Sequence, residues 1–216
     1  LLQFRNFNLY HRSRNGGRGG GIGFLVKNNL QCKILDNLSP FLPSIFESVT
    51  IEVTLNGNQK ISCTSIYRSP NPPKNMTKTD QIKRFLEHLE NLCYNLTTSY
   101  RTSYLMLDSN IDILTNNNLA RTYLETIRES GFTQTIEKAT RIQNNSYSLI
   151  DNILTNSQNS KIVSGVILSD ISDHFLTFMV TSSLAKCKQK PQLTKRNMSA
   201  ENAEFFKNEL RKIRDR

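Results

Sequence analysis

Three short stretches carry acids, an amide and a histidine at the ends of apolar runs. They are "LMLDSN" (Asp108, Asn110), "SLIDNIL" (Asp151, Asn152) and "SDISDHF" (Asp170, Asp173, His174). In extended chain alternate residues share a face, so Asp108 and Asn110 point the same way. Asp151, between Ile150 and Ile153, interrupts an apolar strand, and burying it without a partner is costly. Neighbouring strands with such ends would converge on one pocket. Convergent Asp and Asn oxygens suit a hard cation such as Mg²⁺, which needs only one or two carboxylates beside waters and a substrate phosphate. Such an ion polarises a phosphoryl group and lowers the pKa of a water. His174 could act there as acid or base, its tautomer fixed by a carboxylate. Each stretch also has an ordinary reading. An Asp after a strand is a common turn former, and Asp-His pairs arise by chance. His11 and His88 read as surface residues, and Asp112 reads as the solvated side of a loop.

The elements that must position these groups follow from hydrophobic period. "NGGRGGGIGFLVKNN" puts five glycines in seven residues ahead of a strand at 22–26. A phosphate-cradling loop runs from a strand into a helix and carries a Lys-Ser/Thr, which argues against a P-loop and for a hairpin approach or bulge. Strands at 45–55 and 61–66 flank Asn56-Gly57, a hairpin signal. Alternating Val49, Ile51, Val53 and Leu55 predict that the first of them is half-buried. "YRSPNPPKN" then breaks regular structure. Ile82, Phe85, Leu86, Leu89, Leu92, Cys93 and Leu96 predict a helix over 80–97, with Thr79 as its cap. A short strand at 104–107 is followed by a helix over 118–130 that stops at Gly131. Further strands are expected near 148–154, 162–168 and 175–181. A last helix is expected near 200–214, with Ser199 as cap and Ala203, Phe206, Leu210 and Ile213 on its apolar stripe. Strands and helices do not alternate strictly. The fold class is therefore α/β, a layered sandwich with mostly antiparallel sheets.

Composition sets the frame. The chain has 216 residues, 37% hydrophobic and 21% charged, which is the range of a globular domain. The net charge is +10, gathered at the ends: residues 1–27 hold five Lys/Arg and no acid, and 184–216 hold ten against four acids. Basic ends suit a polyanion, with nucleic acid the first candidate. No apolar run approaches the roughly 18 residues of a membrane span. Cys32, Cys63, Cys93 and Cys187 form no C-x-x-C pair, which argues against a zinc ribbon. They read as reduced thiols of an intracellular protein. The expected organisation is a domain over 1–183 and a basic linker and helix over 184–216. Because the chain starts at Leu1 without a signal peptide, it reads as a fragment or processed piece.

Together "GGRGGGIGFLVKNNL", "ESVTIEV", "SIYRSPNP", "LMLDSNIDIL", "TRIQNNSYSLIDNILTN" and "SDISDHF" resemble the endonuclease/exonuclease/phosphatase superfamily. "YRSPN" and "SLIDNI" narrow the likeness to the apurinic-endonuclease-like domain of non-LTR (LINE-type) retrotransposons. The likeness covers about residues 15 to 180. It implies a four-layer, DNase I-like α/β sandwich that here lacks its N-terminal strands, including the family's metal-binding Glu. It implies Mg²⁺- or Mn²⁺-dependent nicking of DNA, low in this piece alone, whose freed 3′-hydroxyl primes a downstream reverse transcriptase on element RNA. It implies that Tyr67 leans on the scissile phosphate, and that Asp108 deprotonates the attacking water. Asn110 would position that water, Asp151 would orient His174, and His174 would contact the phosphate. Asp173 would assist the metal, while Arg68, Asn71, Thr140 and Arg141 would contact DNA. No membrane is expected, and action on DNA implies a nuclear location. The family's Gly-Asp-Phe-Asn reads Leu107-Asp108-Ser109-Asn110 here. The alternatives are a superfamily phosphoesterase acting on lipid or inositol phosphates and a non-catalytic nucleic-acid-binding remnant.

Overall fold

The computed structural model describes residues 4–14, 21–143, 146–158 and 161–181, with Glu204, Phe205, Lys207 and Asn208. The chain divides into two units, Leu1–Ala185 and Lys186–Arg216. In the second, the four described residues are helical, and Lys207 Nζ lies 3.8 Å from Glu204 Oε2. Ser199, Ala203, Phe206, Leu210 and Ile213 of the expected helix lie outside the described residues, as do Cys187 and most of the glycine run.

The first unit opens with a hairpin of β1 (Phe7–Arg12) and β2 (Ile22–Lys27). Then come β3 (Gln31–Ile34), β4 (Phe41–Leu42), β5 (Phe46–Thr54) and β6 (Lys60–Tyr67). α1 (Lys78–Ser99), β7 (Ser103–Asp108) and α2 (Asn118–Glu129) follow. After β8 (Thr133–Gln134), β9 (Arg141–Gln143) pairs with β10 (Ser146–Ser148). β11 (Asp151–Thr155) precedes a last hairpin of β12 (Ile162–Ile167) and β13 (Leu176–Thr181). The central sheet has the order β3-β5-β6-β7-β11-β8, with β4 beside β5. Its one parallel pair among the described residues is β6 with β7, joined by α1 as crossover.

Each face of that sheet has a core. Phe85, Leu89, Leu92 and Leu96 of α1 and Tyr123 and Ile127 of α2 pack with Phe46, Ile66, Leu105, Leu107 and Leu154. On the other face Ile51, Val53, Ile61 and Tyr104 are covered by Tyr10, Phe24 and Val26 of the first hairpin and Met179 of the last. The described residues thus form helix, sheet and hairpin layers. The outward sides of the hairpins keep apolar residues exposed, among them Leu25, Val163, Leu176 and Val180. No helix among the described residues is long and apolar enough to cross a membrane. Cys32, Cys63 and Cys93 are free thiols.

Three local expectations are corrected. β5 is buried on both faces rather than half-buried, because layers pack on either side. Its polar alternates are satisfied: Thr50 Oγ1 donates to Leu38 O at 2.5 Å, and Glu52 accepts from Tyr100 Oη at 2.7 Å. Asp112 is partly exposed, yet it does more than line a loop. Its Oδ1 accepts from Leu114 N at 3.1 Å and Leu149 N at 3.0 Å, clipping two loops together. The α1 cap is Thr77, not Thr79: Thr77 Oγ1 accepts from Asp80 N at 3.1 Å and donates to Asp80 Oδ2 at 2.6 Å. Thr77→Ala should therefore cost about 1 kcal/mol in urea unfolding. Thr79→Ala, within the exposed first turn, should stay within about 0.5 kcal/mol. The turn at Asn56-Gly57 forms as expected, with Gly57 at φ +75°, as does the stop of α2, with Gly131 at φ +79°.

Candidate active site

Strand register lines up four residues. Glu47 of β5 lies opposite Tyr67 of β6, Tyr67 opposite Asp108 of β7, and Asp108 opposite Asp151 of β11. Paired residues share a face, so the row lies along one rim of the sheet, on the face the hairpins cover. The cause is topological. β6 and β7 run parallel and end together, while β5 and β11 run against them and begin there.

His174 completes the row from the segment before β13. Its Nδ1 lies 3.0 Å and 3.2 Å from the two carboxylate oxygens of Asp151. Backbone pairing holds this segment: Phe175 N donates to Thr140 O at 2.7 Å and Ile142 N to Asp173 O at 3.0 Å. Asp108, Asp151 and His174 each offer a ligand atom, all within 4.8 Å of one another. Two carboxylates in this small space suit a hard divalent cation. The electrostatics point the same way. Burial, then the neighbouring Asp151 charge, push the Asp108 carboxyl up to about 6. Burial, then Asp108, likewise raise the Tyr67 phenol.

Asn110 sits at φ +49°, a left-handed conformation that Asn tolerates. Its N–H donates to Asp108 Oδ1 at 3.1 Å, and its Nδ2 donates to Arg68 O at 2.8 Å. Oδ1 is left as its unengaged side-chain atom among the described residues. Leu107 and Ser109, which depart from the Gly and Phe of the resembled motif, make ordinary local contacts. Leu107 points into the helix-side core, and Ser109 Oγ donates to Ile150 O at 3.1 Å.

Several expected ligand-binding residues do other work. Arg68 does not reach DNA: it is only 1% exposed, and its guanidinium donates to Ser109 O, Asn110 O, Ser69 O and Gln81 Oε1. Thr140 is fully buried, and its Oγ1 accepts from Ile150 N at 3.2 Å and Asp151 N at 3.1 Å, so it positions Asp151 rather than DNA. Asp173 is outside the carboxylate–histidine group. Arg141 Nε donates to its Oδ2 at 2.7 Å and holds its carboxyl below the usual range. Arg141 keeps a partly exposed side chain, Asn71 is exposed, and Asp170 is exposed and apart from the group.

Residue patterns alone missed Glu47, Arg14 and Gln81. Glu47 left one signal: alternation puts this acid on the same face as Val49, Ile51 and Val53. It is fully buried, pairs with Arg14, and accepts from Ser44 N at 2.8 Å and Gly21 N at 3.3 Å. Gln81 of α1 is buried, and its Nε2 donates to Ser44 O, Ser69 O and Asn71 O.

No protein-family model matches the sequence, and no curated protein matches it. Solved structures do. The endonuclease domain of TRAS1, a telomere-specific non-LTR retrotransposon, is 15% identical with a TM-score of 0.62, over 82% of this chain and 79% of that one. The Neisseria 3′ phosphatase NExo bound to a product DNA hairpin is 15% identical at 0.57, over 80% and 78%. The Xenopus laevis APE2 catalytic domain is 16% identical at 0.57, over 82% and 76%. With its mostly antiparallel sheets and rim of acids, the chain has the endonuclease/exonuclease/phosphatase, DNase I-like fold.

Proposed function

We propose that the chain is the endonuclease portion of a non-LTR retrotransposon, which hydrolyses one DNA phosphodiester with Mg²⁺ or Mn²⁺. The cut would leave a 3′-hydroxyl for an associated reverse transcriptase to extend on element RNA in the nucleus. The observation that carries this reading is the convergence of Asp108, Asp151 and His174 within 4.8 Å on the rim of this fold. The fold is shared with a retrotransposon endonuclease and with a phosphatase captured on DNA.

Asp108 takes the proton of the attacking water, and Asn110 Oδ1 orients that water. Asp151 holds His174 by Nδ1, which leaves Nε2 to face the phosphate and stabilise its developing charge. Tyr67, opposite Asp108 in the register, lies where its hydroxyl can lean on a phosphate oxygen. Asp108 and Asp151 are the groups that would hold the cation. Bound there, it would supply Lewis-acid stabilisation of the phosphoryl oxygens. Asn71 and Arg141 would contact the flanking DNA.

The test is nicking of supercoiled plasmid at enzyme excess with Mg²⁺ or Mn²⁺. Slow conversion to open circle is expected, lost at least 100-fold in His174→Ala (roughly the contribution of one group that stabilises charge in the transition state). Folded protein that leaves the plasmid supercoiled, or cuts equally without His174, would overturn the catalytic reading.

A further inference from the structure

The rim row carries three carboxylates, Glu47, Asp108 and Asp151, all on one face. A phosphodiester is an anion, so a site that admits one needs donors pointed at it. Of the nearby cations, Arg68 is buried under the rim, and Arg141 pairs with Asp173 at the His174 end of the row. Arg14 is different. It follows β1, its side chain is 18% exposed, and it rests on Glu47, whose strand position faces Tyr67. Its Nε donates to Glu47 Oε1 at 2.7 Å, and one terminal nitrogen pairs with the same oxygen. The other terminal nitrogen, Nη1, has no partner among the described residues.

Glu47 is unusually well built for a support. It is completely buried and collects Arg14, Ser44 N and Gly21 N. Burying a carboxylate this deeply is costly unless its lone pairs are filled, and here they are. An acid in an otherwise apolar alternation thus fixes a guanidinium beside the phenol of the site. The Tyr67 phenol senses both groups, Arg14 lowering it and Glu47 raising it.

We propose that Arg14 is a phosphate-contacting residue of this site and that Glu47 is the positioning residue that presents it. The ligand class is a nucleic-acid phosphodiester. The guanidinium would offer a preset donor edge to one non-bridging oxygen, its other edge locked on Glu47, so little side-chain freedom is lost on binding. This inference rests on the DNA-directed reading above.

The experiment measures binding of a duplex oligonucleotide without divalent cation across a salt series. Arg14→Gln alone would leave Glu47 buried and unpaired, so the decisive variant is the double change Arg14→Gln with Glu47→Gln. It keeps the net charge and the shape of the Glu47 side chain, and leaves no buried charge unpaired. Expected are a roughly five- to ten-fold weaker complex and a salt slope lower by about one ion. Arg14→Lys should keep the slope with a smaller loss of affinity. Folded double variant with unchanged affinity and slope, against wild type that binds, would make Arg14 purely structural and overturn this inference alone. Wild type that binds no duplex at any salt would overturn the DNA-directed reading and this inference with it.

Discussion

Asp108→Asn should stabilise the fold at pH 7 by about 2–3 kcal/mol while lowering nicking by at least about 100-fold. The stability part needs no functional assumption. Burial and Asp151 push the folded-state carboxyl to about 6, from an ordinary 3.8. Between those values the folded chain holds a proton that the unfolded chain has released. Stability therefore falls as pH rises from about 4 to about 6, and the penalty stays in full above that. Asn cannot ionise, so the variant escapes it. Its Oδ1 can still accept from Asn110 N, the contact Asp108 makes at 3.1 Å. Urea unfolding at pH 4 and pH 7.5 is the measurement. The two proteins should differ little at pH 4 and diverge at pH 7.5. A variant that is weaker at pH 7.5 and equal at pH 4 would mean that the charge is welcome in the fold, contrary to its surroundings. The kinetic counterpart has the same origin. If Asp108 is the base, nicking should rise about ten-fold per pH unit below the pKa of its carboxyl in the metal-loaded site and level off above it.

The same residue shows how far local pattern reaches. Apolar period located α1, α2 and most strands, because each buries one clear stripe. The acids at strand ends were visible for the same reason: Asp151 breaks an apolar run, and Asp108 ends one. Register was not visible. That Tyr67, Asp108 and Asp151 stand in one row depends on β6 and β7 running parallel across α1, a pairing between segments some 40 residues apart. Contacts that depend on such pairing were not visible either. Thr140 sits beside Arg141 in sequence and looked like a surface contact. Its hydroxyl instead accepts from two backbone amides at the start of β11. Asp173 looked like a ligand by its place next to His174, yet the strand-like pairing of 173–175 with 140–142 aims it at Arg141. Glu47 carried a signal, an acid on an apolar face, but only the fold shows that the hairpin of β1 and β2 brings Arg14 to it.

Arg68→Met should cost about 3 kcal/mol of stability and loosen the turn that carries Asp108 and Asn110. The Arg68 guanidinium is buried at the rim with only neutral oxygens as hydrogen-bond partners: Ser109 O at 2.6 Å, Asn110 O at 2.9 Å, Gln81 Oε1 at 2.9 Å and Ser69 O at 3.4 Å. Its backbone is tied to the same turn, with Arg68 N donating to Asp108 O and Arg68 O accepting from Asn110 Nδ2. The side chain also lies over the Phe85 ring, 5.8 Å from its centroid, so the charge is held between the turn and α1. Met fills much of the same volume but leaves the two turn carbonyls and the Gln81 amide oxygen without donors. Arg68→Lys keeps the charge but can serve only part of that set, so its loss should be intermediate. Global unfolding alone would not separate a turn support from an ordinary core residue, whereas amide exchange would. In Arg68→Met, protection at Ser109 and Ile111 should fall by more than the loss of global stability accounts for, while β5 and α1 follow the global change. Uniform loss across the sheet would make Arg68 a core cation with no particular hold on the turn. A larger local loss would show why this chain keeps a buried guanidinium there. The turn places Asn110 in a left-handed conformation beside an acid that is itself poorly solvated. Fixing its carbonyls from below lets Asp108 and the Asn110 side chain face outward without relying on water.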